Sequence, residues 1–455
     1  MAKMGDDELK WPTYSDIVTA YKCCKIKKKS STARIHFELK LGQNLLNLYR
    51  EIHSGTYMPS ASMCFIVVEP KPREVFAAPF RDRVVHHLVV SELLKIWRDR
   101  FNAASFACIE GRGPYRALCK LQNLTLNIGT IRKANKPYAA QKIYALHLDI
   151  EKFFPTIHRE TLLKTVLDSL PQEINYKNTK LRWLCEKLMA HDARDKFYFV
   201  NEAQSKMLPP GKSWLEQPKD RGIPIGNLTS QLAANIYLTE IDFYISETLK
   251  PQGYVRYMDD LLLLDRDKAK LKGFIAKISQ RIEERLRQRI NESKTVLKSL
   301  TDGVKFLGFH IKQVKRKVYS KPKEQGKVKT LGVLGKVEEQ QVRTETGRIS
   351  LLWITLTGKR KWKLVYRFRR LEKKGFQTQE VLGENYGLPR VSSLRRVYKQ
   401  LSSYNSMLGY IRQGRSLSFR RALLTRLRRS EIIKNRTCDV KNWSKIKLHK
   451  QSYSQ

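Results

Sequence analysis

Tyr257-Met258-Asp259-Asp260 is the stretch that most restricts how this chain can fold. Two adjacent carboxylates sit between Tyr254-Val255-Arg256-Tyr257 and the four leucines Leu261 to Leu264. Strand-prone runs on either side of a short polar connection read as the arms of a tight β-hairpin. A third carboxylate, Asp149, ends another apolar run that starts at Ile143. If that run lies beside the hairpin in one sheet, three acids distant along the chain meet at one point. Such a gathering of hard oxygen donors is what two Mg²⁺ ions about 4 Å apart require. An isolated Asp-Asp pair is ordinary turn chemistry, so the reading depends on what accompanies it.

Charge is the first companion. Over 455 residues the chain carries a formal net charge of +45, with a pI near 10.1. Such an excess repels itself unless a polyanion neutralises it, and nucleic acid is the usual polyanion. Residues 301–455 alone hold 38 Lys/Arg against 10 Asp/Glu, a surplus of +28, which places the grip in the C-terminal third. A hydrophobic content of 41% excludes a disordered basic tail, and the length suits roughly two to four domains. Seven scattered cysteines without C-x-x-C spacing indicate neither a disulfide framework nor a zinc site. The expected compartment is a reducing cytoplasm. The N-terminus lacks an apolar signal core, and no apolar run reaches the roughly 18 residues of a membrane span, so a soluble protein is expected.

Periodicity predicts helices over 14–25, 35–52, 83–97, 159–170, 179–190, 227–250 and 268–290. Strands are expected at 64–68, 75–78, 143–149, 254–257, 261–264, 294–299 and 304–311, with a basic turn at 69–73 and a polar connector over 201–221. Strands interleaved with helices around one central hairpin give an α+β class. Beyond residue 312 the texture changes to a basic, turn-rich connector, a strand at 351–356, and basic helices at 360–374 and 394–429. The second of these mixes Arg396, Arg412, Arg415, Arg420 and Arg421 with Tyr398, Tyr404, Tyr410 and Phe419.

The acids belong to an ordered series: Arg81-Asp82-Arg83-Val84-Val85, Gly111-Arg112-Gly113, Asp149 with Phe153-Phe154, Gly222-Ile223-Pro224-Ile225-Gly226-Asn227-Leu228-Thr229-Ser230-Gln231, Tyr257-Met258-Asp259-Asp260, Asn291-Glu292-Ser293-Lys294 and Phe306-Leu307-Gly308-Phe309. Over about residues 35–311 this series resembles the successive blocks of reverse transcriptases, in their order. Its Ile-Gly-Asn-x-Thr-Ser-Gln wording is similar to that of diversity-generating retroelement reverse transcriptases, with related defence-associated bacterial enzymes as neighbours. The resemblance implies a right-hand polymerase, with fingers and palm around a central antiparallel sheet and a helical, basic thumb or C-terminal domain. The corresponding boundaries are an N-terminal helical extension over 1–60, fingers and palm over 61–313, a thumb-like domain over 314–430 and a basic tail over 431–455. The stretch at about 314–390 is longer than compact relatives need and has no assignment.

What the resemblance implies about chemistry attaches to particular residues. Asp149 and Asp259 would bridge two Mg²⁺ ions (Mn²⁺ being an alternative), with Asp260 and the Ile150 carbonyl completing the set. The reaction is in-line attack of a primer 3′-oxygen on a nucleotide α-phosphate. Phe154 would close against the sugar 2′ position and select deoxynucleotides, or it is a core aromatic beside Phe153. Lys71, Arg73 and Arg81 are candidate triphosphate cations, against a solvated basic turn. Lys294 would protonate departing pyrophosphate, against a solvated lysine. Gly226 lets backbone approach the template, Gln231 offers a hydrogen bond to it, and Tyr257 borders the nucleotide site. Ile225 stands where many retroviral-type enzymes have glutamine, and within the family an aliphatic residue there goes with relaxed base selection. His86-His87 read as packing or surface residues, because adjacent helical positions face apart. His147 and His158, near Asp149, carry no expected role.

The expected function is therefore an RNA-directed DNA polymerase of a bacterial or phage retroelement. Its partners would be a structured non-coding RNA template, a DNA product and dNTPs, with an accessory protein or a second copy as further candidates and no membrane. Alternatives are an antiphage enzyme working with a non-coding RNA, an RNA-binding maturase-like protein with little polymerase activity, and an RNA-dependent RNA polymerase, which Phe154 disfavours.

Overall fold

The computed structural model describes residues 11–26, 31–68, 71–133, 136–202, 208–209, 211, 213–319, 327–331, 337–341 and 345–356. The helices expected at 360–374 and 394–429 and the basic tail lie outside the described residues. The chain divides into two compact units: Met1–Leu124 with Tyr144–Leu297, and Thr125–Ile143 with Lys298–Gln455.

The first unit begins with helices α1 (Tyr14–Lys25), α2 (Thr32–Leu39) and α3 (Leu41–Ser54). Thr13 and Asp16 cap α1 reciprocally, each side chain accepting from the other's backbone N–H. The single helix expected over 35–52 is broken at Lys40, whose φ of −122° is not helical. The Asn44 side-chain amide donates to the Phe37 carbonyl at 2.9 Å and so satisfies an end group that the break exposes. Strands β1 (Ser62–Val67) and β2 (Arg73–Ala77) pair antiparallel, with Phe65 opposite Val75. Helix α4 (Phe80–Trp97) is buried on most sides and packs with α1 to α3 in the main core, so the N-terminal helices are part of this unit. Helix α5 (Pro114–Gly129) was not anticipated from the sequence; it leads to β3 (Thr130–Lys133) and β4 (Lys136–Ala140) of the second unit.

The chain re-enters the first unit as β5 (Tyr144–Asp149), α6 (Phe153–Thr156), α7 (Arg159–Asp168) and α8 (Tyr176–Ala190). Strand β6 (Phe197–Phe199) then adds to β1 in parallel. The helix expected over 227–250 is segmented into α9 (Leu228–Tyr237), α10 (Thr239–Phe243) and a π-helical turn, Tyr244–Leu249. Next come β7 (Gly253–Tyr257), β8 (Asp260–Asp265), α11 (Lys268–Leu286) and β9 (Val296–Ser299), and the sheet order is β7-β8-β5-β9. Leu146 and Leu148 of β5 and Leu261 and Leu263 of β8 join the core that holds Leu271, Phe274, Ile278 and Ile282 of α11. Each leucine so buried is worth about 2 kcal/mol. A one-residue slip of β5 on β8 would turn its leucines away from α11, so their burial sets the register. The opposite face consequently carries His147, Asp149 and Asp260.

In the second unit, β10 (Val304–Phe306), β11 (Phe309–Tyr319), β12 (Lys327–Leu331), β13 (Val337–Gln341) and β14 (Glu345–Leu356) follow. One sheet runs β10-β11-β14-β4-β3. The turn-rich connector expected just beyond residue 312 is therefore, up to Tyr319, a strand paired with β14 along its length. Its lysines and arginines suggested an exposed link, yet Ile311 and Gln313 are buried, and Gln313 accepts from the Ile143 N–H at 3.1 Å. Alternation with a buried face outweighs the charge. Among the described residues no helix is long and apolar enough to cross a membrane.

Candidate active site

Strand β5 runs antiparallel to β8 in a register that sets Asp149 directly opposite Asp260. Opposed Cα atoms in such a pair lie about 5 Å apart. Asp260 also faces Tyr257 across the β7–β8 hairpin, whose two connecting residues are Met258 and Asp259. Met258 adopts φ +54°, the left-handed conformation that closes a two-residue hairpin in the sense of the strand twist. All three expected acids thus stand at one end of the central strands.

Arg256 holds this turn from beneath. It and Asp242 are both fully buried, with the guanidinium Nε 2.6 Å from Asp242 Oδ1, while Nη1 donates to the Met258 carbonyl at 3.2 Å. Tyr254 adds its hydroxyl to Asp242 at 2.7 Å. From the sequence Arg256 is a strand residue only, because nothing local marks α10 as its partner.

The electrostatics show an acid cluster short of countercharge. Burial, followed by repulsion from Asp260 and Asp149, pushes the Asp259 pKa up to about 6, with Arg73 among the influences acting in the opposite direction. Asp149 Oδ2 accepts from Lys294 Nζ, and Asp260 Oδ1 lies 3.3 Å from His147 Nε2. Among the described residues no three Asp, Glu, His or Cys side chains form a ready metal-ligand group. A cation entering here would share Asp149 with Lys294 or displace it.

Around the acids, Ile150 bridges Ile290; the adjoining bonds use the Asp149 carbonyl and the Glu151 N–H, and neither uses the Ile150 carbonyl. Phe154 sits on the short helix α6 rather than on a strand, edge-on to Phe153 at 5.3 Å, and its carbonyl accepts from Ile223 N–H. Half-buried Ile225 gives its carbonyl to the Phe76 N–H at 3.0 Å, which ties the motif to β2. Gly226 has φ +124°, and a Cβ there would stand 2.8 Å from Val75 Cγ1, so the close approach demands glycine. Asn227, absent from the expected set, fastens the same joint by accepting from Ala78 N–H at 3.0 Å. Gln231 lies in the first turn of α9, where Cys108 Sγ approaches its Oε1 at 3.7 Å, and Tyr257 is half-buried.

The three expected phosphate cations differ. Lys71 and Arg73 are exposed before and at the start of β2. Arg81 instead pairs with Glu51 and Asp82, donates to the Met58 carbonyl and lies over the Tyr57 ring. A triphosphate would have to compete with two carboxylates for it. Of the histidines, buried His86 bonds Thr229 at 2.7 Å, and burial first, then neighbouring positive groups, lower its pKa to about 3. His158 caps α7. His147 meets one of the three expected acids.

The profile of the family described as "Reverse transcriptase (RNA-dependent DNA polymerase)" matches residues 70–311, more than half of the chain. The chain belongs to this family. This reverse transcriptase is also 22% identical over 320 residues to "Protein YkfC" of Escherichia coli (strain K12), covering 63% of the chain and 74% of that relative. It is an RNA-directed DNA polymerase, a nucleotidyltransferase that takes an RNA template and dNTPs and yields DNA. Enzymes of this family generally depend on a divalent metal, usually Mg²⁺. The donor set suits such an ion: carboxylates are hard ligands, and burial, then repulsion from Asp260 and Asp149, makes Asp259 hold its proton more tightly than an ordinary aspartate.

Proposed function

We propose that this reverse transcriptase serves a bacterial or phage retroelement, copying a dedicated structured RNA into cDNA in the manner of the diversity-generating enzymes. The observation that carries this reading is the 222–231 motif. Its aliphatic Ile225 is bonded through its carbonyl to β2, and Gly226 is pressed against Val75. An apolar side chain at that joint gives less orientational control of a nascent base pair than a hydrogen-bonding amide, which suits a polymerase that tolerates errors. The +28 surplus of residues 301–455 supports a grip on structured RNA.

In this reading Asp149, Asp259 and Asp260, with the Ile150 carbonyl, hold two Mg²⁺ ions. Bound there, the ions would acidify the primer hydroxyl and neutralise charge on the leaving pyrophosphate. Phe154 screens the sugar 2′ position, and Arg73 with Lys71 receives the triphosphate. Lys294 leaves Asp149 when the site fills and donates a proton to pyrophosphate. Gln231 and Tyr257 orient the template and the nucleotide. Boundaries at 61–313 for fingers and palm and 314–430 for a thumb-like region accompany the proposal.

The test is to sequence nucleic acid made in cells by the wild type and by an Asp259→Ala, Asp260→Ala variant. Error-rich cDNA of one template RNA, present only with the wild type, is the expected result. Accurate copies of a short non-coding RNA would instead favour an antiphage role. RNA bound without any cDNA would favour a maturase-like role.

A further inference from the structure

We infer that His147 is a positioning residue, one that orients the Asp260 carboxylate for cation binding. The inference rests on the reading that Asp260 is a metal ligand. His147 and Asp149 are two apart on β5 and so share a face. Across the ladder His147 faces Leu262 and Asp149 faces Asp260, which makes His147 and Asp260 diagonal neighbours. Diagonal positions are about 7–8 Å apart, a gap that an imidazole spans. Its Nε2 stands 3.3 Å from Asp260 Oδ1, in a contact only partly open to water, with side-chain exposures of 15% and 32%.

A donor of this kind has a specific use. A carboxylate at a strand end can rotate, and a ligating oxygen must be held in place to bind a cation well; carboxylate ligands are accordingly hydrogen-bonded by a second ring of residues. With Oδ1 held by the ring N–H, Oδ2 is left to meet an ion. The ring touches neither nucleotide nor primer in this scheme and acts through Asp260 alone.

The test compares full-length His147→Leu, which removes the donor, with His147→Gln, which keeps one. Mn²⁺ binding is read by electron paramagnetic resonance without nucleotide, and single-nucleotide extension is followed across a Mg²⁺ titration. His147→Leu should raise the Mn²⁺ dissociation constant and the half-saturating Mg²⁺ by roughly 10–100-fold, with extension largely recovered at saturating Mg²⁺. His147→Gln should stay within a few-fold of wild type. In an Asp260→Asn background His147→Leu should add nothing. Equal impairment of the Leu and Gln variants, or an undiminished His147→Leu effect beside Asp260→Asn, would show a merely structural role and overturn the inference. Wild-type metal response in His147→Leu would overturn it too. If His147→Leu does not fold, His147→Met takes its place in every arm. A wild-type protein that neither binds Mn²⁺ nor extends a primer would overturn the metal reading itself, an outcome distinct from the others.

Discussion

Replacing Asp259 by asparagine should stabilise the folded protein while abolishing polymerisation. The Asp259 carboxyl titrates near 6 in the fold, raised from 3.8 by burial and then by Asp260 and Asp149. A difference of that size corresponds to roughly 3 kcal/mol against the folded state at neutral pH. The side chain is partly reached by solvent, so screening trims the expected gain to about 1–2 kcal/mol. The folded state binds the proton more tightly than the unfolded chain. Between pH 3.8 and about 6 the wild type therefore loses stability as pH rises. The asparagine variant has no such loss, so its advantage opens across that window, is complete above it and vanishes below. Thermal unfolding in chelator should show a midpoint roughly 1–3 °C higher for the variant at neutral pH and equal midpoints at the acid end. Saturating Mg²⁺ should raise the wild-type midpoint and close the gap, because an ion that binds only the folded state stabilises it. An Asp259→Asn protein less stable than wild type at neutral pH, or a gap unchanged by pH and by Mg²⁺, would refute the account of an under-neutralised acid cluster.

Three further outcomes are expected. Gly226→Ala should destabilise the protein by about 1–3 kcal/mol and cut extension sharply, since the added methyl meets Val75 at 2.8 Å with φ at +124°; unchanged denaturant midpoint and activity would contradict that packing. Arg256→Met strands buried Asp242 and should cost about 3–5 kcal/mol, read as a lower urea midpoint, whereas the pair of changes Arg256→Met, Asp242→Leu should recover much of it. Phe154→Ala should raise ribonucleotide incorporation relative to deoxynucleotide by roughly 10–100-fold in competitive single-turnover extension; an unaltered ratio would return Phe154 to the role of a core aromatic beside Phe153.

Much of this protein was settled locally along the chain. The hairpin around Met258 and Asp259 follows from two strand-prone arms and a polar turn, and the ordered blocks from Arg81 to Phe309 carry the family. Charge obscured the backbone in one place: the basic run that begins at Lys312 pairs as a strand, because its small buried face decides pairing while its lysines decide only solubility. Helix breaks at Lys40 and after Tyr237 are not legible in the sequence, since the helical period passes through both.

What only the tertiary structure decided is which distant groups face one another. Leucines of β5 and β8 turned toward α11 select the register that brings Asp149 opposite Asp260. That choice then aims His147 at Asp260, as the fold also seats Arg256 on Asp242 and commits Arg81 to Glu51. Hydrophobic burial across strands far apart in sequence sets these pairings, and no single segment contains the information. The residue types of the site can be read from the order of amino acids, but the partner of each charge is settled only when the core closes.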